Sequence, residues 1–306
     1  MTYKRKLAVL SAIIVVLSAI YILSLVLDRD NRRSDAFAWL DSSLIVMADR
    51  IEITGQSGEV SLSRNNNVWV LSLGTRELPV RQSRVEDFFA LLSRRDIYPL
   101  RAVTSEARER LRLTEERASR ILVRGGAGLP LLDLLVGEQD VMGKEAYLRK
   151  SGGDQIYSGE LLFSVFANSL PILWYDLRLF EDLSIDAVQQ TDISLPDGEA
   201  YTLRRSGGGW ILLENESAPL EVTRVEAWIR SVIEAQGEEF PLVAPEDFEG
   251  TLTLWLGDGT SRTLQAGPPD AGMRRNAVVS SSPMVYTLPE HTFNRLFRES
   301  SYFVRD

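Results

Sequence analysis

The sequence predicts an α+β protein: two tandem homologous domains, each an antiparallel sheet with helices, behind one N-terminal transmembrane helix. Three observations carry this. Leu7 to Leu27 is apolar or small throughout, with no Asp, Glu, Lys, Arg, Asn, Gln, Gly or Pro. The chain after it holds short alternating runs joined by Asn- and Gly-rich turns, the signature of hairpins. That pattern is then written a second time. A hydrophobic share of 44% and a charged share of 25% belong to a folded globular protein rather than a disordered tail.

The first element is the apolar run. At a helical rise of ~1.5 Å per residue it is ~31 Å long, about the hydrocarbon thickness of a bilayer. It exceeds the apolar core of a cleaved signal peptide, and Ser24-Leu25-Val26-Leu27-Asp28 offers no small-residue cleavage step. Residues 1–6 then form a cytoplasmic leader, 7–27 the membrane helix and 28–45 a polar juxtamembrane linker. In the linker Phe37, Trp39 and Leu40 make a small apolar patch suited to the membrane surface. Lys4, Arg5 and Lys6 before the span balance Arg29, Arg32 and Arg33 after it. The short tail with its free amine favours a cytoplasmic N-terminus and an extracytoplasmic bulk, periplasmic in a bacterium.

Residues 46–180 and 187–306 are the two α+β domains. In the first, Val60–Arg64 leads through Asn65-Asn66-Asn67 into Val68-Trp69-Val70-Leu71; in the second, Tyr201–Arg205 leads through Gly207-Gly208-Gly209 into Trp210–Leu213. Pro79-Val80-Arg81-Gln82-Ser83-Arg84-Val85-Glu86 recurs as Pro219-Leu220-Glu221-Val222-Thr223-Arg224-Val225-Glu226. Ser83 with Glu86, and Thr223 with Glu226, read as capping boxes. Behind them Val85, Phe88, Phe89 and Leu92, and Val225, Trp228, Ile229, Val232 and Ile233, fall on one helix face. Tyr98-Pro99-Leu100 answers Phe240-Pro241-Leu242. Strands at Ser119–Arg124 and Leu131–Gly137 answer Thr251–Leu256 and Ser261–Gly267, with turns at Gly125–Gly128 and Gly257–Gly259. Ala146–Lys150 with Gln155–Tyr157 answers Ala277–Ser280 with Met284–Thr287. Short helices at Glu160–Ala167 and Glu290–Phe297 close each copy, with the boundary at Phe180–Asp186.

Chemistry is sparse. The chain has no cysteine and one histidine, so disulfides, thiolate sites, a lipidated Cys and multi-His metal sites are excluded. His291 reads as an exposed or capping residue, and no G-x-S-x-G elbow accompanies it. The stretch Gly137–Glu145 is only superficially a phosphate loop, with one residue too many between its glycines and Glu145 where a hydroxyl belongs. Glu238-Glu239, Glu246-Asp247 with Glu249, and Glu214 with Glu216 are acidic loops read as solvated. Trp69, Trp174, Trp210, Trp228 and Trp255 read as core residues. The formal charge is -9, and setting aside the leader leaves -12 on residues 7–306. That argues against nucleic acid and anionic lipid as partners. Accordingly the sequence nominates no catalytic, cofactor-binding or metal-binding residue and no cofactor.

The repeated order of Trp strand, S/T-R-V-E helix, aromatic-Pro-Leu link and late Tyr strand resembles a bacterial family described as domain of unknown function 4340. The elements that carry the resemblance are Val68-Trp69-Val70-Leu71, Pro79-Val80, Val85–Leu92, Gln155-Ile156-Tyr157 and Tyr175-Asp176-Leu177-Arg178-Leu179-Phe180. It spans most of residues 45–306. In the link Glu109-Arg110-Leu111-Arg112-Leu113-Thr114, where relatives often carry a Tyr-Gly-Leu step before a Pro, the Gly and Pro are missing. The resemblance implies no active site. It implies an accessory role beside an ABC-2-type permease and a gliding-type membrane protein. The expected function is therefore a non-enzymatic, membrane-anchored binding or scaffold protein with membrane-protein partners. A carboxylate-dependent envelope hydrolase or transferase, and a small-ligand receptor with its site between the repeats, are the alternatives.

Overall fold

The computed structural model describes residues 36–305, so the leader and the expected membrane helix at 7–27 lie outside the described residues. Among the described residues, no helix is long and apolar enough to cross a membrane. The chain divides between Tyr175 and Asp176 into two units. The first contains β1 (Ala48–Gly55), β2 (Gly58–Asn65), β3 (Val68–Leu73), β4 (Arg76–Pro79), α1 (Gln82–Ser93), β5 (Leu100–Ala102), α2 (Ser105–Arg110), β6 (Ser119–Gly125), β7 (Leu129–Gln139), β8 (Glu145–Lys150), β9 (Ile156–Glu160) and α3 (Leu162–Phe166). The second contains β10 (Val188–Ser194), β11 (Ala200–Ser206), β12 (Gly209–Leu212), α4 (Val222–Ile233), β13 (Gly250–Leu256), β14 (Ser261–Pro269), β15 (Arg275–Val279), β16 (Val285–Leu288) and α5 (Glu290–Leu296). The fold is α+β, with one antiparallel sheet in each unit.

The sheet orders are β4-β3-β2-β1-β6-β7-β8-β9-β5 and β12-β11-β10-β13-β14-β15-β16. Without β4 and β5, the first sheet has the order of the second. Finer features recur as well. Register breaks between Ala48 and Arg50 and between Val188 and Gln190, where β1 meets β6 and β10 meets β13. It breaks again between Val136 and Gln139 and between Ala266 and Pro269, where β7 meets β8 and β14 meets β15. Such bulges bend a strand and are built-in features of a sheet.

Alternation puts one side of each sheet into the core. In the first unit Ile51 pairs with Leu62 and Val123, and Ile53 with Val60 and Ile121, all buried. The helix α1 covers this side with Val85, Phe88, Phe89 and Leu92; Phe89 lies 5.7 Å from Trp69, and Phe88 lies 5.8 Å from Trp174. In the second unit Ile193 pairs with Tyr201 and Leu252, and α4 buries Val225, Trp228, Ile229 and Val232.

Two expectations need correction. Phe37, Trp39 and Leu40 are not a membrane-surface patch but the first pieces of the folded unit. The Phe37 and Asp96 backbones exchange hydrogen bonds, and the Leu40 N–H donates to Leu92 at 3.0 Å. Trp39 and Leu40 are consequently buried, with Phe37 5.0 Å from Tyr98. The same strap opens the second unit, where Arg178 bridges Gln236 and the Leu179 N–H donates to Ala235. A polar linker therefore does not extend through residue 45.

The capping boxes also fail. Arg81 and Glu221 are the N-cap residues, neither with a side-chain cap, and Ser83 and Thr223 are exposed inside the first turn. Tertiary contacts fix the helix starts instead. The Arg81 N–H donates to the Trp174 carbonyl at 3.0 Å, and the Glu221 N–H donates to Phe303 at 2.9 Å. In the first unit Gln82 adds an anchor: its Oε1 accepts the Trp69 N–H at 3.0 Å, and its Nε2 donates to the Trp69 and Val80 carbonyls at 2.9 and 2.8 Å. Ser83→Ala and Thr223→Ala should therefore each change stability by less than about 0.5 kcal/mol. Gln82→Ala should cost about 1–3 kcal/mol, because it strands part-buried backbone groups. Thermal melts of the three variants decide it: a larger loss from Ser83→Ala than from Gln82→Ala would restore the capping box.

Candidate binding surfaces

The second unit turns a polar sheet face to solvent. Along β13 the inward residues are Leu252 and Leu254, both fully buried, which sends Thr251, Thr253 and Trp255 outward. Their neighbours follow from register: Thr253 stands between Asp192 and Thr263, and Trp255 between Gln190 and Ser261. On the far side of β10, Thr202 faces Asp192 and Arg204 faces Gln190. Trp255 is thus not a core residue, and 41% of it is exposed. The other four tryptophans named above are buried as expected.

Trp255 is held in place. Its Nε1 donates to Asp192 Oδ2 at 2.5 Å, diagonally across the strand pair, so the indole leans over the sheet. The other oxygen, Oδ1, accepts from Gln190 Nε2 at 2.8 Å and Thr202 Oγ1 at 3.1 Å. Next to this network lies a cavity of about 250 Å³, lined by Asp192, Ser194, Thr202, Thr251, Thr253 and Glu214 among others. Glu214 Oε2 accepts the Thr202 N–H at 2.9 Å and so closes one wall.

The matching face of the first unit is charged instead. Arg124 stands opposite Arg50, and its Nε lies 3.2 Å from Glu52 Oε2. Arg120 reaches Asp133 in a forked pair at 2.8 and 2.5 Å. A cavity of about 480 Å³ at one end of this face is lined by Arg50, Arg64 and Arg124. Arg64 is occupied with the Val46 and Ala48 carbonyls, as Arg205 is with those of Val188 and Ile185 in the second unit. These guanidiniums tie strand starts together.

The acidic loops separate rather than converge on one centre. Glu238, Glu239, Glu246, Asp247, Glu249, Glu214 and Glu216 are all exposed. Glu239 and Glu249 pair with Arg274 and Arg275. His291 is exposed in the first turn of α5. Among the described residues no three His, Cys, Asp or Glu side chains converge as metal ligands. The stretch resembling a phosphate loop is a hairpin turn. Asp140 Oδ1 accepts the Lys144 and Glu145 N–H groups at 2.6 and 2.8 Å, and these bonds hold its carboxyl below the usual range. Asp270 does the same for Gly272 and Arg274 in the second unit, led by the bond from Arg274. Burial pushes the Tyr201 phenol upward, and its hydroxyl donates to the Arg298 carbonyl in a packing role.

A family model described as a domain of unknown function (DUF4340) matches residues 69–248, more than half of the chain, from the Trp69 strand to the link after α4. No curated protein and no solved structure matches it.

Proposed function

The chain belongs to the DUF4340 family, and on that premise we propose that it is a single-pass, membrane-anchored extracytoplasmic binding or scaffold protein, an accessory component of an ABC-type envelope transport system. Its two units are, on this reading, copies of one ancestral domain. The observation that carries the proposal is the contrast between what the units share and what they do not. Strand order, bulges, Asp turns and helix faces recur, whereas the solvent-facing sheet residues diverge: Arg124 against Glu52 in one, Trp255 against Asp192 in the other. Duplication that keeps the scaffold and changes the open face supports two binding surfaces on one tether. The Leu7–Leu27 run supports the tether, and a tether raises the local concentration of a weak binder beside its partner.

The test is capture from membranes in mild detergent, with mass spectrometry of what accompanies the full-length chain. Permease and ATPase subunits of an ABC-type system are the expected companions. Protease added to spheroplasts should also degrade residues 46–306. A chain lacking residues 1–27 should fail to complement a deletion at native expression and recover partly when overproduced. Protection from protease equal to a cytosolic marker, or full complementation without the tether, would overturn the proposal.

A further inference from the structure

We infer that the open sheet face around Trp255 in the second unit is a saccharide-binding site that takes a neutral glycan chain. The inference rests on the reading of the units as binding modules and names the ligand class of one of them. An exposed indole offers a flat apolar surface, which suits the C–H face of a pyranose ring. This one is oriented: the bond from Nε1 to Asp192 at 2.5 Å fixes its lean over β13 and β10. Along the same face, past Asp192 and away from the indole, Thr202, Thr251, Thr253 and Ser194 line the cavity of about 250 Å³. Their short hydroxyls donate and accept at little entropic cost, as sugar hydroxyls require.

Charge selects among ligands. The Asp192 carboxylate is already met by Trp255, Gln190 and Thr202, and Glu214 by the Thr202 N–H. Both leave acceptor capacity for hydroxyl donors, since a carboxylate has about four lone-pair sites. Neither tolerates a phosphate or an acidic headgroup nearby. Arg204, the cation of this face, stands across Gln190 from Trp255 rather than at the cavity. A neutral, hydroxyl-rich chain is the complementary partner. The equivalent face of the first unit, with Arg124 in place of the indole, lacks the platform.

The experiment titrates the full-length chain, held in an amine-oxide detergent that carries no sugar headgroup, with chitohexaose, cellohexaose and maltohexaose, and follows tryptophan fluorescence. At least one hexasaccharide should give a saturable change. Trp255→Ala should weaken it by roughly tenfold or more, the worth of one aromatic stack. Arg124→Ala, on the first unit's face, should leave it unchanged. Should Trp255→Ala not reach the wild-type melting curve, Trp255→Phe and Thr253→Ala carry the same test with the sheet intact, each expected to weaken binding. No saturable response to any of the three sugars overturns the inference, as does equal affinity in the folded Trp255 and Thr253 variants. Capture of transporter subunits is measured separately, so the glycan site can fail while the scaffold reading stands, and the reverse.

Discussion

Trp228→Ala should lower the melting temperature of the second unit by roughly 10–20 °C, the equivalent of about 3–5 kcal/mol in a unit of this size. Trp228 is 3% exposed on the inner face of α4, edge-on to Phe303 at 5.1 Å. Its Nε1 donates to the Leu296 carbonyl at 3.1 Å, at the end of α5. Truncation leaves a large void between α4, α5 and the sheet, and it strands that carbonyl. The void dominates, because an unmet acceptor near a helix end costs only about 1–3 kcal/mol. Trp228→Phe should fall between, keeping most of the packing and losing the bond. Trp255→Ala is the internal control: an equally large side chain removed from an open face should hardly move the transition. Calorimetry of the variants decides the matter. A Trp228→Ala curve superimposable on wild type would put α4 on the surface and void its packing assignment.

These two tryptophans show how far the sequence could be read. Trp228 was legible, because Val225, Trp228, Ile229 and Val232 have helical spacing and tertiary packing agrees with it. Trp255 is not the core residue its type suggests, and the signal is present: in Thr251-Leu252-Thr253-Leu254-Trp255-Leu256 the strict alternation places the indole on the threonine side. The central strand β10 is hidden in the sequence for a different reason. In β10 the core position opposite Leu203 and Leu254 is Thr191, fully buried with its hydroxyl unpartnered, and this polar residue breaks the apolar alternation. Helix faces and hairpins depend on nearby residues and show in the sequence. The helix starts depend on Trp174 and Phe303, far away in the chain, and do not. The Asp192, Thr202 and Trp255 network is likewise assembled by register across β11, β10 and β13, which no local motif encodes.

Gly137→Ala should destabilise the first unit by about 2–4 kcal/mol, an overpacking effect at the upper end of its range. Gly137 occupies the bulge of β7, where the link after α2 crosses the sheet. The Glu138 N–H donates to the Leu111 carbonyl at 3.0 Å. A Cβ at Gly137 would lie 2.2 Å from the Leu111 oxygen and 2.8 Å from Leu113 Cγ. Neither neighbour can swing aside. The oxygen belongs to the backbone, and Leu113 is fully buried with Leu135 and Ile156. The Leu113 carbonyl is itself held by Arg149 Nε at 2.9 Å, so displacing the link also disturbs a buried guanidinium. Gly267 fills the same bulge in the second unit, and there a Cβ would meet Pro245 Cβ at 2.5 Å and the Asp247 oxygen at 3.2 Å. That loop is more exposed, so Gly267→Ala should cost less, about 1–3 kcal/mol. Gly126→Ala, with nothing within 4 Å of its Cβ, should be silent. The expected order of melting temperatures is therefore Gly126→Ala above Gly267→Ala above Gly137→Ala. If Gly137→Ala melts with Gly126→Ala, the link does not cross at this glycine, and the bulge has some other cause than making room for it.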